Sequence, residues 1–227
     1  SITRRMLAEY AQMTDLQAWR KMGISESFAA KQVETVAIYE SMGVRPTCTC
    51  TPYLVGNVPA YGEHIAWSES SAVVFANSVL GARGNRNSGI IELFGSVAGF
   101  VPSFGLLTDK GRKASWVIRV KTTKKPEAQL LGSAIGMKVM EAVPYIEGLD
   151  KWLGKKLNDD VKDYLKDMGA ASASNGAVGL FHVEGLTPEA VESGKKLVLR
   201  GAKEYIIDDI ELERVRESYP CVWKIPD

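Results

Sequence analysis

The chain has 227 residues, 45% hydrophobic and 24% charged, a balance that excludes a disordered polypeptide and a miniature fold stapled by disulfides. With 28 Lys and Arg against 27 Asp and Glu, the net charge of +1 supplies no overall field to draw in nucleic acid or an anionic membrane. Partners must therefore be read from local sites, and neither nucleic acid nor a membrane is expected among them.

In the first forty residues, Met6, Leu7, Tyr10 and Met13 recur at helical spacing, as do Ala29, Val33, Val36 and Tyr39 before Gly43. Two helices are expected, the second closed by Gly43. Pro46 to Tyr53 alternates β-branched residues with Cys48 and Cys50 between two prolines, which predicts a short strand opening into a loop. Leu54 to Glu63 carries Gly56, Pro59 and Gly62 and reads as an ordered functional loop. His64 to Ser68 reads as another short strand, and Ser70 or Ser71 as the cap of an apolar helix, Ala72 to Leu80, ended by Gly81. The polar turn Gly81 to Ser88 then feeds a helix over Ile90 to Phe100, an arrangement whose free amide N–H groups favour anions.

After Pro102 the pattern predicts a strand at Phe104 to Thr108, a turn at Asp109 to Lys113 and a strand at Ser115 to Lys121. Ala128 to Met140 reads as a helix whose Gly132 and Gly136 imply close packing against another backbone. Val143 to Glu147 is a strand candidate. Asn158 caps a helix over Val161, Tyr164 and Leu165 that Gly169 should end, leaving Ala170 to Gly176 as a small-residue turn before a strand at Ala177 to Val183. Thr187-Pro188 opens a last helix stopped by Gly194, followed by strands at Lys196 to Leu199 and Glu204 to Ile207. The alternation argues an α/β or α+β fold, taken here as α/β with a mixed, mostly buried sheet flanked by helices, and a subdomain break is placed near residues 124–150.

No apolar run reaches the ~18–20 residues that cross a bilayer, and the amino end lacks the apolar centre of a signal peptide, so a cytoplasmic protein is expected. Ser1 is not an initiator Met, and the chain stops just after Cys221-Val222-Trp223; a piece of a longer polypeptide is expected, with self-association or pairing with its neighbouring segments. Cys48, Cys50 and Cys221 suit reduced thiols or metal ligands better than disulfides. On a strand Cys48 and Cys50 would face one side, either toward a metal or as two small buried hydrophobes. Arg83, Asn85 and Arg86 form a set able to hold a carboxylate or phosphate through charged hydrogen bonds, or to make surface ion pairs. Asn77 and Ser78 interrupt an apolar helix and need partners, a substrate or a nearby loop. Glu63, His64, Ser68 and Glu69 are candidates to line a cavity, although a lone histidine such as His64, opening an apolar strand, is more often hydrogen-bonded structure. His182 reads as a core or edge-strand residue, and Lys151 to Asp167 as a solvated helix face.

Three stretches, Thr49-Cys50-Thr51-Pro52-Tyr53, Gly62 to Ala72, and Phe75 to Arg83 with Asn85 and Arg86, resemble the catalytic domain of aconitase X. Gly169 to Gly176, Ala177 to His182 and Gly185 to Ala190 extend the resemblance over essentially the whole chain, read as the central part, 1–227, of that domain. The resemblance implies an aconitase-like fold and a hydro-lyase that eliminates water from a small hydroxylated carboxylate with an iron–sulfur cluster. It implies Cys50 as a metal ligand, and Tyr53, Glu63, His64, Ser68, Glu69, Asn77, Ser78, Arg83, Asn85 and Arg86 as substrate-binding candidates. Hydroxide leaves poorly, so such enzymes use an open iron as Lewis acid while a base takes a proton from the neighbouring carbon. The family's Gly-Cys-Pro-His motif and its catalytic serine, which belongs to a small swivelling domain or subunit, have no counterpart in this sequence. An incomplete cluster, a small-subunit partner and no catalytic base within the chain are therefore expected. The family pattern also has a threonine after the first arginine and a His-Leu-Asp-Glu-Asn run where this chain reads Arg83-Gly84 and Leu106 to Asp109. The alternative reading is a non-catalytic module that binds a small anion or another subunit.

Overall fold

The computed structural model describes residues 18–44 and 47–219; the expected helix over Met6 to Met13 and Cys221 lie outside them. The second expected helix is α1 (Glu26–Ser41), whose N-cap Ser25 accepts from the Phe28 amide, and Gly43 follows at φ +85°. The strand expected from Pro46 to Tyr53 is absent from its described residues. Cys48 sits at φ +47°, and Thr51 N–H turns back to Thr49 Oγ1 at 3.1 Å, so local hydrogen bonds replace a ladder. Consequently the two cysteines are not held on one face of a strand, and both are exposed rather than buried as small hydrophobes. Pro52–Val55 is a 3-10 turn closed by Gly56 at φ +90° and by Asn57 N–H to Pro52 O.

The strand expected at His64 to Ser68 is reduced to one parallel bridge, His64 to Arg83. Helix α2 (Ser70–Phe75) is capped by Glu69, one residue before the serines proposed for that role: its Oε2 accepts from Ala72 N at 2.7 Å. A carboxylate here also meets the positive end of the helix. The helix continues as a π-helical turn, Ala76–Leu80, which Gly81 ends at φ +73°. Helix α3 (Gly89–Ala98) starts after Ser88 as predicted, but it leaves Ile90, Phe94 and Val97 exposed. Where a strand was expected, Gly105–Leu107 forms a 3-10 turn. The Asn85 side chain takes the Phe104 carbonyl and the Leu106 amide at 3.0 and 2.7 Å, leaving neither for a neighbouring strand.

Four strands, β1 (Ala114–Lys121), β2 (Pro144–Glu147), β3 (His182–Val183) and β4 (Val198–Asp208), form a sheet in the order β3-β2-β1-β4. Every pairing is parallel, Ile118 standing opposite Ile146 on one side and Tyr205 on the other. The expected α/β architecture is therefore present, but the sheet is parallel throughout rather than mixed, because each strand is joined to the next through helical crossovers. The two strands predicted near the carboxyl end are one strand, in which Gly201 at φ +80° lies where the pairing with β1 changes register. The crossovers run through α4 (Ala128–Val139), the short α5 (Asp150–Leu153), α6 (Asp159–Gly176) and α7 (Pro188–Ser193), and α8 (Asp209–Glu217) follows β4.

Helix α6 begins at the predicted cap, Asn158, but does not stop at Gly169. A Cβ there would meet the Phe181 ring and Val74 at 3.1 Å, so this glycine serves packing, and the supposed turn Ala170 to Gly176 is the helix's last two turns. The strand expected at Ala177 to Val183 shrinks to two residues because its approach is bonded elsewhere: Gly179 O accepts from Asn77 and Phe181 N–H donates to Ser78. Ile118, Ile146 and Ile207 of the sheet, Leu131 and Ile135 of α4 and Leu165 of α6 are buried together in one apolar core. That core fixes the two loops carrying the candidate residues.

Candidate functional site

The segment after Gly81 is held by backbone before any side chain acts. Gly62 N–H donates to Gly81 O, Arg83 N–H to Glu63 O and Ile65 N–H to Arg83 O, between 2.8 and 2.9 Å. A Cβ on Gly81 would stand 2.4 Å from the Tyr61 ring, and Tyr61 in turn donates its hydroxyl to Glu192 of α7. Burial, then the Glu192 carboxylate, push the Tyr61 phenol up to about 12, so it stays protonated.

Arg83 is presented at the edge of this ladder with about a quarter of its side chain exposed. Its Nη1 lies 3.4 Å from Leu107 O, the carbonyl His64 Nε2 also approaches at 3.4 Å, and its Nη2 is 2.5 Å from the exposed Asp109 carboxylate. That guanidinium holds the Asp109 carboxyl below its ordinary range. Asn85 is buried, both ends of its amide spent on the Phe104 to Leu106 backbone, whereas Arg86 is exposed. Thus His64, Arg83 and Asn85 converge on one loop, residues 104–109, with Arg86 beyond it.

Beneath this loop lies a polar network that the sequence did not announce. Arg112, 1% exposed, donates from Nε to Glu189 Oε1 at 2.7 Å, from Nη1 to Asn77 Oδ1 and Leu106 O at 3.1 and 3.0 Å, and from Nη2 to Asn77 O at 3.0 Å. Burial lowers its pKa and the Glu189 carboxylate opposes that shift. A buried cation is tolerated only with partners of this quality. Asn77 spends its remaining groups on Gly84 and Gly179: its Nδ2 donates to both carbonyls at 2.8 Å and its Oδ1 accepts from Gly84 N at 2.9 Å. Asn77 and Ser78 therefore make the helix-to-loop hydrogen bonds that the sequence offered as one of two readings.

His182 Nε2 lies 2.9 Å from Arg112 O, so that nitrogen carries the proton and donates, leaving Nδ1 bare 3.8 Å from Glu189 Oε2. Burial depresses the imidazole pKa and keeps it neutral. Glu189 Oε2 itself is buried without a hydrogen-bond partner. In sequence, Arg112 sits in Lys110-Gly-Arg-Lys113 and reads as a solvated turn; only its long-range partners distinguish it.

The remaining candidates have structural work. Tyr53 is buried and stacked on Phe75 with centroids 4.1 Å apart, Glu63 accepts from Ala60 N at 2.7 Å, Glu69 caps α2 and Ser68 lies against the start of α3. Glu92 of α3, accepting from Asn87 at 2.6 Å, is buried and pushed up to about 7 by that burial.

Among the described residues no group of three or more His, Cys, Asp or Glu could hold a metal, and their only thiols are Cys48 and Cys50. Iron–sulfur clusters take several cysteine thiolates, so the described residues do not form a complete ligand set.

A parallel α/β domain presenting a braced arginine at an exposed loop is the class that fold and site define. Profiles described as Aconitase X first domain and Aconitase X second domain match residues 8–110 and 114–217. The chain belongs to the aconitase X family. It is 47% identical over 180 residues to the phosphomevalonate dehydratase large subunit of Methanothermobacter thermautotrophicus, covering 79% of this chain and 43% of that one. It is 31% identical over 208 residues to the cis-3-hydroxy-L-proline dehydratase of Pseudomonas aeruginosa, covering 90% of this chain and 34% of that one. The crystal structure of Thermococcus kodakaraensis aconitase X in its holo form superposes with a TM-score of 0.75 at 39% identity, over 88% of this chain and 49% of that one. The chain thus spans about half, or less, of the length of these relatives. No helix among the described residues is long and apolar enough to cross a membrane.

Proposed function

We propose that this chain forms part of a hydro-lyase that eliminates water from a small hydroxylated acid, the acid group being held at Arg83 and Arg86. The observation that carries the reading is Arg83 itself: a guanidinium braced from behind by Leu107 O and the ladder to Glu63, with one nitrogen turned to an exposed carboxylate. A surface ion pair of that kind is worth only about 0–1 kcal/mol. An incoming carboxylate or phosphate therefore displaces Asp109 at little cost and gains a charged hydrogen bond to a nitrogen already in place. His64, whose ring meets the same carbonyl, borders that position and contributes polarity.

Phosphorylated hydroxy acids are favoured over hydroxyproline, since relatives named phosphomevalonate dehydratase large subunit share 47% and 40% identity with the chain against 33% and 31% for the hydroxyproline enzymes. In the overall reaction a C–H proton and a hydroxide leave neighbouring carbons as water and a C=C bond forms. Cys50 is proposed as one thiolate of an iron–sulfur cluster completed by ligands outside the described residues, and a small subunit as the partner, as the relatives' name implies.

The test is an anaerobic assay of iron and acid-labile sulfide with a visible spectrum, made on the natural polypeptide containing this sequence together with its small subunit. Bound iron and sulfide lost in Cys50→Ser, with dehydration of phosphomevalonate lost in Arg83→Ala, support the reading. An iron-free, colourless and inactive assembly that still binds phosphate would replace it with the anion-binding module.

A further inference from the structure

The two family stretches, 8–110 and 114–217, leave three residues between them, and the middle one is Arg112. Its guanidinium reaches into both. Toward the first it holds Asn77 and Leu106, and toward the second Glu189, while its own carbonyl accepts from His182. Each contact on the first side bears on the anion loop. Asn77 O and Oδ1 belong to the π-helical turn leading through Gly81 to Arg83, and Leu106 O lies in the loop whose next carbonyl, Leu107 O, braces Arg83. The second side belongs to regular elements: Glu189 lies in the first turn of α7, directly after Pro188, and His182 lies on β3, paired with β2 in the sheet.

We infer that Arg112 is the positioning residue of the anion site, a buried clamp that fixes the Asn77 to Arg83 turn and the 104–109 loop against the second domain so that Arg83 is held ready to meet the acid. It touches no substrate and acts through Arg83. The planar fork is essential, because three acceptors on two segments are met at once at fixed angles; the single ammonium of lysine keeps the charge opposite Glu189 but cannot reproduce them. Arg112→Lys therefore preserves the charge balance of the core while releasing the loop. This inference rests on the reading of Arg83 as the anchor of the acid.

The experiment is a double-mutant cycle on inorganic phosphate affinity by calorimetry, with the parent, Arg112→Lys, Arg83→Ala and the double variant. Hydrogen exchange is read in parallel at the Gly84 and Leu106 amides, which donate to Asn77 and Asn85. Each single variant is expected to weaken phosphate binding by about tenfold or more, with Arg112→Lys adding nothing in the Arg83→Ala background. In Arg112→Lys both amides exchange faster while those of β1 keep the parent's rates. Full additivity, or parent-like phosphate affinity in Arg112→Lys, would overturn the inference and leave the Arg83 reading intact. Absence of phosphate binding in the parent would instead sink the Arg83 reading, and with it the inference that Arg112 serves it; unchanged exchange at Gly84 and Leu106 would refute the clamp itself. If Arg112→Lys does not fold, Glu189→Gln, which keeps an acceptor opposite Nε without its charge, carries the same cycle.

Discussion

Helices α4 and α6 meet backbone to backbone, and Gly136→Ala tests that contact. A methyl group at 136 would stand 2.6 Å from Ser172 O and 3.1 Å from Gly176 N, both main-chain atoms that cannot rotate aside. Relief requires the helices to move apart along a surface that includes Gly132, where a Cβ would meet Met168 O at 2.2 Å. Overpacking of this kind costs about 1–3 kcal/mol, and the absence of any side-chain escape places it at the upper end. Alanine recovers about 1 kcal/mol through its better helix propensity. The expected net loss is about 2 kcal/mol, which for a urea slope of about 2 kcal/mol/M lowers the midpoint by about 1 M. Urea unfolding followed by circular dichroism reads this directly. Gly89→Ala at the start of α3 is the control: its Cβ would find Ser68 Oγ at an ordinary 3.7 Å, and its effect stays within about 0.5 kcal/mol. A Gly136→Ala variant as stable as the parent, beside an unaffected control, would refute the argument from close approach.

Glu92→Gln should stabilise the protein above neutrality. The folded pKa is raised from 4.5 to about 7, so the parent loses stability as pH climbs through that window. That rise corresponds to roughly 3 kcal/mol, which solvent screening of a partly open carboxylate reduces to about 2 kcal/mol recovered above the window on removing the charge, and nothing below pH 4.5; coincident pH profiles for the two proteins would contradict this. His182 works in the opposite direction: its folded pKa is depressed from 6.5, so the unfolded chain takes up the proton first and stability falls as pH drops below that value. His182→Gln should lose less between pH 7 and 5 than the parent does, whatever its stability at pH 8, and an equal loss would remove His182 from the account. Ser78→Ala strands the buried Phe181 amide and should cost about 1–3 kcal/mol in thermal or urea unfolding, a neutral result meaning that water replaces the hydroxyl.

What the sequence revealed follows the range of the interaction. Ser88 opening α3, Asn158 capping α6 and Thr187-Pro188 opening α7 are local signals, and each stands where expected. The pair Gly132 and Gly136 announced close backbone packing, although not its partner. The errors come where a distant group claims the backbone. Asn85 draws Phe104 to Leu106 out of a strand, Asn77 and Ser78 shorten β3, and Phe181 and Val74 turn Gly169 from a helix stop into a contact. For the proposed site, the glycine and arginine turn points to Arg83, whereas a lone arginine in a lysine-bearing turn, Arg112, carries no sign of its burial. Asn77, an amide inside an apolar helix, needs partners on sequence grounds alone and finds them in the neighbouring loops, its side-chain oxygen and nitrogen both bonded to protein groups.

The strand order also sets a timetable for biosynthesis. β1 can join β2 soon after both leave the ribosome, but its other neighbour, β4, follows only after the two intervening crossovers and β3. With ~90 residues still to be made at ~5–20 residues per second, one edge of the central strand waits on the order of 5–20 s. Through that interval the unpaired amides and carbonyls of Ala114 to Lys121 are open to any passing strand. Nascent chains therefore meet their greatest risk of mispairing before β4 arrives, and slowing translation just upstream of residue 198 would lengthen it.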